Sequence, residues 1–140
     1  MEKSEPHRSK EHLIIGTRLG PFEYTITEEM ADLYIEAIDN QDPLYNRDPS
    51  ESRRIIPSCF TLQNYIYLLV QHSAWGLGGV HTAQNSEYFN PCYVGDRIVT
   101  KGKIIDQYAK KGRNYFELEY VVETVQGTLL ARHTITGISF

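Results

Sequence analysis

The chain has 140 residues and a formal net charge of −4, with basic residues scattered along its length. This length suits one compact domain, and a content of 41% hydrophobic and 11% aromatic residues is not that of a disordered chain. The scattered charge argues against nucleic acid or an anionic membrane surface as the main partner. No apolar run reaches the roughly 18–20 residues that a membrane span needs.

The N-terminal stretch is polar and lacks the apolar segment of a signal peptide. We therefore expect a disordered tail at residues 1–12, a single domain at 13–140, and a cytoplasmic protein. Cys59 and Cys92 lie far apart, form neither a disulfide framework nor a zinc motif, and are expected to be buried and reduced. Nothing in the sequence indicates a metal or a cofactor.

The first predicted elements are a strand and a helix. A turn at Gly20-Pro21 precedes a short strand at 22–26. Thr27 has the character of a helix N-cap and is followed by two glutamates that favour the positive end of the helix dipole. The helix is predicted to end at Asp42-Pro43. Its apolar stripe, at helical spacing, consists of Met30, Leu33, Tyr34, Ala37 and Ile38.

A second helix is predicted after a polar loop at residues 46–54. It begins at Pro57-Ser58, runs to about Gln71 and ends before Gly76, Gly78 and Gly79. Because it is apolar on most sides, we expect it to be buried nearly all round. The residues behind this expectation are Cys59, Phe60, Leu62, Tyr65, Ile66, Leu68, Leu69 and Val70.

The rest of the chain has the pattern of strands, at 80–88, 97–105, the segment around 116–122, and 129–138. In the third of these, apolar and acidic residues alternate with the period of a half-buried strand. Turns are predicted at Asn90-Pro91, Gly95-Asp96, Lys111-Gly112 and Gln126-Gly127. The order predicts an α+β domain in which an antiparallel meander wraps around one central apolar helix.

Three segments in this order resemble the MaoC-like hydratase/dehydratase family, and its N-terminal dehydratase domain in particular. They are YIEAIDNQDPLY at 34–45, IIPSCF at 55–60 and VHTAQNSEYFNPCYVGD at 80–96. The resemblance covers the chain from about residue 16 to 140. It implies a single hot-dog domain, with an antiparallel β-sheet wrapped around a central buried helix. It also implies hydration or dehydration of an acyl-CoA or acyl-carrier-protein thioester.

In active members of that family an Asp and a His hold the water that adds to an enoyl thioester. Aligned on Pro43, this chain has Asn40 in place of the Asp and Tyr45 in place of the His. An amide does not titrate near pH 7, and a phenol is a poor base there. Such acid–base catalysis is worth about 10²–10⁴-fold, so the resemblance implies a site with little activity of its own.

Other candidate site residues follow from the same resemblance. The backbone N–H of Ser58, between Pro57 and Cys59, would donate to the thioester oxygen; the alternative is that Ser58 merely caps the helix. His81 is a candidate acid–base group, although a hydrogen-bonded structural role is the commoner one. Asp42 either closes a turn before the proline or reaches a cleft. His72 is interpreted as a C-terminal cation on its helix and His133 as a strand residue.

Several functions remain open. The leading hypothesis is an accessory subunit that pairs with a catalytic hot-dog subunit of a heteromeric enoyl-thioester hydratase. The alternative is an active (R)-specific enoyl-CoA hydratase or 3-hydroxyacyl dehydratase that uses His81 or Asp42. An acyl-CoA binding module and a thioesterase are further candidates, since fold alone does not fix function. In each case the open sheet edges predict a homodimer or heteromer.

Overall fold

The computed structural model describes residues 14–46, 53–72 and 79–139. The predicted tail at 1–12, most of the predicted loop at 46–54, and Gly76 and Gly78 lie outside these residues. The strands are β1 (Arg18–Thr25), β2 (Ile55–Ile56), β3 (Gly79–Tyr88), β4 (Cys92–Tyr93), β5 (Arg97–Lys110), β6 (Arg113–Thr124) and β7 (Leu129–Ser139). The helices are α1 (Glu28–Ala37) and α2 (Asn64–Gln71), the latter preceded by a 3₁₀ helix at Ser58–Gln63. No helix within the described ranges combines the length and apolar character needed to cross a membrane.

Five strands form one antiparallel sheet in the order β1-β5-β6-β7-β3. The predicted meander is confirmed, because β5, β6 and β7 follow one another in both sequence and space. Strand β5 is longer than predicted and pairs with β6 as far as the turn, where Lys110 faces Arg113. A register shift between Ile104 and Asp106 lets this long hairpin bend. Strands β2 and β4 form a separate two-stranded ladder.

The turn predicted at Gly20-Pro21 is wrong, because both residues lie inside β1. The ladder with β5 shifts register between Leu19 and Phe22, so the pair forms a bulge rather than an entry turn. Gly20 has a φ of +89°, and a Cβ there would lie 2.7 Å from the carbonyl oxygen of Thr100. Only glycine tolerates both the dihedral angle and this close approach.

Alternate residues of β6 fill the concave side of the sheet, as their spacing predicted. Phe116, Leu118, Tyr120 and Val122 are all at most 1% exposed. Leu68 and Leu69 of α2 are fully buried in the same core cluster. The helical segment at 58–71 therefore packs against the sheet as the central element of the fold.

Helix α1 begins where the sequence predicted, but only part of its predicted apolar face packs against the core. Thr27 Oγ1 accepts the N–H of Met30 at 3.2 Å, as an N-cap does. The helix ends at Ala37, before the predicted Asp42-Pro43 stop. Its buried residues are Ala31 and Ile35. The predicted stripe is confirmed only in part. Met30 and Tyr34 pack against the core cluster, whereas Leu33, Ala37 and Ile38 are exposed.

The central helical segment is buried on one side only, so the prediction of burial all round is wrong. Its inner residues include Phe60, Thr61, Asn64, Leu68 and Leu69. On its outer side, Ile66, Tyr67 and Val70 are exposed in the single chain. The cysteine prediction is likewise half right, because Cys92 is buried whereas Cys59 is exposed.

Candidate functional site

The loop that carries the first two candidate residues is held by its own side chains. Asn40 Oδ1 accepts the N–H of Asp42 at 2.9 Å, and Asp42 Oδ1 accepts the N–H of Leu44 at 2.9 Å. Both are Asx turns, in which a side-chain oxygen replaces a backbone acceptor. Asn46 Nδ2 also donates to the carbonyl of Asp42 at 2.8 Å. Asn40 and Asp42 therefore shape this loop, and the turn that the sequence predicted at Asp42 is present.

Tyr45, the second candidate residue from the sequence, is held through its backbone by a buried arginine. Arg54 is 8% exposed, and its Nε donates to the carbonyl oxygen of Tyr45 at 3.0 Å. Its Nη1 donates to Glu28 at 2.9 Å and to Asp32 at 2.6 Å, both in the first turns of α1. The tyrosine ring is partly buried against the core cluster. Arg54 thus ties the loop at 40–46 to α1.

A polar cleft of about 360 Å³ opens beside Asn40. Its lining is mostly acidic and amide side chains, namely Asp32, Glu36, Asp39, Asn40, Gln41 and Asn46, with Ile35 and Arg54. No group of three or more candidate ligands able to hold a metal ion occurs in the described part of the chain. The cleft places the Asn40 position at the surface and accessible to solvent.

The start of the central helical segment leaves two backbone N–H groups available. The N-cap position is Pro57, which makes no side-chain cap bond, and Ser58 is already the first residue of the 3₁₀ helix. The interpretation of Ser58 as the helix cap is therefore wrong. Within the described residues, the N–H groups of Ser58 and Cys59 have no hydrogen-bond partner. Unpaired N–H groups at the start of a helix are suited to a partly negative oxygen.

Cys59 and Tyr34 connect this turn to helix α1. The Tyr34 hydroxyl lies 3.1 Å from Cys59 Sγ. Burial, together with this contact, raises the pKa of Tyr34, so its hydroxyl stays protonated at neutral pH. Tyr34 also packs edge-on against Phe60, with ring centroids 5.2 Å apart.

An apolar groove of about 330 Å³ runs between α1 and the central segment on the same side as this contact. Apart from one amide, its lining is hydrophobic or aromatic, consisting of Met30, Leu33, Tyr34, Ala37, Phe60, Gln63 and Tyr67. The sequence analysis did not identify this groove, because it treated the apolar faces of the two helices separately. The apolar character of these residues was the feature of the sequence that could have indicated the groove.

His81 lies apart from the other candidates. Its Nδ1 is 3.3 Å from the hydroxyl of Tyr65, and the two rings pack edge-on with centroids 5.2 Å apart. Within the described residues, no hydrogen bond joins His81 to Asn40, Asp42 or Tyr45. The structure therefore brings the candidates together in separate groups, and not as one catalytic cluster.

Two further histidines make specific structural contacts. His72 Nε2 accepts the backbone N–H of Gly20 at 2.9 Å. His72 is the C-cap residue of α2, at the end of the helix as the sequence predicted. His133 is fully buried on β7, between Thr61 and Ser86. Its strand assignment is confirmed.

An antiparallel sheet wrapped around a central helical segment defines the hot-dog class. Residues 13–132 match the family described as the FAS1-like dehydratase domain region, and the chain belongs to this family. The resemblance of the sequence motifs to a hydratase/dehydratase family is thereby confirmed, and a structure named a MaoC-like dehydratase, from Rhodospirillum rubrum, shares the fold. A comparison with curated proteins found no match.

Solved structures of the same fold include enzymes and enzyme complexes. The chain is similar to the C-terminally truncated HadBC (3R-hydroxyacyl-ACP dehydratase) complex of Mycobacterium tuberculosis, with a TM-score of 0.77 and 15% identity over 90% of this chain and 97% of that one. It is similar to the (R)-hydratase of A. caviae involved in PHA biosynthesis, with a TM-score of 0.75 and 16% identity over 91% and 98%. The ChsH1-ChsH2 complex of M. tuberculosis gives a TM-score of 0.64 and 14% identity over 88% of each chain. At these identities the structures show the hot-dog fold alone.

Proposed function

We propose that the chain is an accessory hot-dog subunit that binds an acyl thioester and pairs with a subunit carrying the catalytic Asp and His. The observation that carries the proposal is the pair Asn40 and Tyr45 at the family's catalytic positions. The Asn40 amide has no titratable proton, and its oxygen is engaged in an Asx turn. Neither side chain suits the proton transfers of hydration near pH 7.

Thioester binding is supported by the turn at Pro57, Ser58 and Cys59. Hydrogen-bond donors directed at a developing negative charge are the usual means of stabilising a thioester oxygen. The N–H groups of Ser58 and Cys59, which are unpaired among the described residues, supply such donors. The neighbouring apolar groove offers a surface for an acyl chain. The proposal includes both thioesters of coenzyme A and thioesters of an acyl carrier protein.

The surface of the chain supports the proposal that it pairs with a second hot-dog subunit. Strand β3 is an end strand of the sheet, and within the described residues no strand pairs with its outer edge. Exposed apolar residues also lie on both helices, including Leu33 at 62% and Val70 at 61% exposure. Unpaired edges and apolar patches of this kind are usually covered by a partner. HadBC and ChsH1-ChsH2, which share the fold, are themselves complexes.

The test combines binding and turnover. The purified chain is expected to hydrate crotonyl-CoA negligibly, and to co-elute with a hot-dog subunit that retains Asp and His. Turnover by the chain alone near the median enzyme rate of about 10 s⁻¹ would contradict the accessory role. Loss of that turnover in His81→Ala or Asp42→Asn would identify an active hydratase. Release of free coenzyme A in the same assay would identify a thioesterase.

A further inference from the structure

A series of hydrogen bonds through three side chains runs through the interior to the turn that carries the proposed thioester donors. Ser86 Oγ lies 2.7 Å from His133 Nδ1, and His133 Nε2 lies 2.9 Å from Thr61 Oγ1. Thr61 Oγ1 in turn lies 2.9 Å from the carbonyl oxygen of Ser58. His133 and Thr61 are at most 1% exposed. These contacts link the edge strand β3, strand β7 and the first turn of the central segment.

With a neutral imidazole, the donor and the acceptor of each hydrogen bond in this series can be assigned in only one way. The Ser58 carbonyl only accepts, so the single proton of the Thr61 hydroxyl points to it. Thr61 Oγ1 must then accept from His133 Nε2–H, which leaves Nδ1 to accept from the Ser86 hydroxyl. Burial lowers the pKa of His133 to about 4, in keeping with a neutral ring in this arrangement.

The last hydrogen bond of this series, from the Thr61 hydroxyl to the Ser58 carbonyl, also affects the neighbouring N–H group. The C=O of Ser58 and the N–H of Cys59 belong to the same planar trans peptide unit and point in opposite directions. The 3₁₀ turn already directs this peptide unit. The bond from the Thr61 hydroxyl to the Ser58 carbonyl adds to that restraint, and so helps to hold the direction of the Cys59 N–H. That N–H has no hydrogen-bond partner within the described residues.

We infer that His133 is a positioning residue that acts through Thr61 to aim the Cys59 N–H at the oxygen of a bound thioester. The inference rests on the proposed function, because that function supplies the thioester. His133 itself is buried and does not touch the ligand. Its contribution is to hold the Thr61 hydroxyl, which would otherwise be free to rotate away from the Ser58 carbonyl.

The test compares two ligands of nearly equal size on the full chain, butyryl-CoA and its thioether S-butyl-CoA, which lacks the carbonyl. Thr61→Val removes the hydroxyl at nearly constant volume, and the conservative Thr61→Ser restores it. We expect wild type to bind the thioester more tightly than the thioether. In Thr61→Val the ratio of the two dissociation constants should fall about tenfold, the effect of one hydrogen bond. Thr61→Ser should retain the wild-type ratio. A purely structural role of Thr61 would weaken both ligands equally.

The outcomes separate the inference from the function on which it rests. A wild-type chain without preference for the thioester would overturn the proposed function. A wild-type preference that Thr61→Val leaves unchanged would overturn the positioning role alone. The ring ¹⁵N shifts of His133 in ligand-free wild type give a second measurement that needs no variant. They should show the Nε2–H tautomer, and an Nδ1–H tautomer would contradict the inference.

Discussion

Arg54 donates from Nε to the backbone carbonyl of Tyr45 at 3.0 Å, although the two residues are separated by the loop between α1 and β2. The same guanidinium binds two carboxylates of α1, Glu28 and Asp32, whose side chains are 49% and 65% exposed. Arg54→Met removes all three contacts. The two carboxylates that lose their partner are still solvated, so we expect the free energy of unfolding to fall by only about 1–3 kcal/mol. Urea denaturation measures this change.

The neighbouring arginine provides a matched control for this prediction. Arg53 pairs with Asp96 and lies over the ring of Tyr93, but its side chain is 62% exposed. Exposed ion pairs contribute roughly 0–1 kcal/mol, so Arg53→Met should have the smaller effect. Equal destabilisation by the two variants would mean that Arg54 does not hold the Tyr45 loop.

The strands were predictable from sequence because their pattern is local. Phe116, Leu118 and Tyr120 alternate with acidic residues, and an alternation with period 2 has only one buried side. The extent of β5 was not predictable in this way. Its end beyond residue 105 is mostly exposed and is held by pairing with β6.

The helices were less predictable because the apolar residues of a helix need not all face its own core. On α1, Ala31 and Ile35 are buried while Leu33 is 62% exposed. The apolar pattern identified residues that avoid water, but not whether their own chain or another molecule covers them. The contact of His133 with Thr61 likewise depends on a separation of 72 residues in sequence, which no local pattern reveals.

The stability of the protein should fall in mild acid because of His133. An ordinary histidine titrates near 6.5, whereas burial lowers the pKa of folded His133 to about 4. Above pH 6.5 neither state binds the proton, so the stability contributed by the neutral ring is fully present. As pH falls from about 6.5 to 4 the unfolded state takes up a proton that the folded state excludes. Stability therefore decreases, by roughly 2–3 kcal/mol over this range.

The variant His133→Gln isolates this effect from the other titrating groups. Urea unfolding of wild type and variant at pH 7.5, 5.5 and 4.5 gives the two pH dependences. We expect the stability difference between them to narrow as the pH falls, because the variant has no imidazole to protonate. A constant difference at all three values would show that His133 binds its proton equally well when folded.

The outer edge of β3 should carry the subunit interface. Phe89 N–H bonds to the Leu130 carbonyl on the β7 side. The antiparallel ladder alternates from there, so the N–H of Gln84 points away from β7. We expect the wild-type chain to be a dimer and Gln84→Pro to be monomeric with its fold retained, since proline removes only an outward donor. Gln84→Thr is the control that keeps the N–H.

Light scattering at several protein concentrations measures both states, and circular dichroism checks the fold. A wild-type monomer at high concentration would contradict the predicted pairing of subunits. A Gln84→Pro dimer as stable as wild type would place the interface elsewhere on the chain.

Introducing the Asp and His that the sequence resemblance assigns to positions 40 and 45 should give weak chemistry. Asn40→Asp keeps the oxygen that accepts the Asp42 N–H, so the loop should tolerate the exchange. Tyr45→His replaces a partly buried ring by a smaller one, while the backbone bond from Arg54 to residue 45 persists. The double variant therefore has both groups needed to hold and activate a water.

We expect slow hydration of crotonyl-CoA by the double variant, well below the median of about 10 s⁻¹, and none by either single variant. The low rate follows because the surrounding side chains have not been matched to the new pair. The measurement is loss of enoyl-thioester absorbance, with circular dichroism to confirm an unchanged fold. Equal activity in Tyr45→His alone would indicate that another carboxylate, such as Asp42, serves as the partner. An inactive double variant that still binds butyryl-CoA would mean that the partner subunit must supply the complete catalytic site.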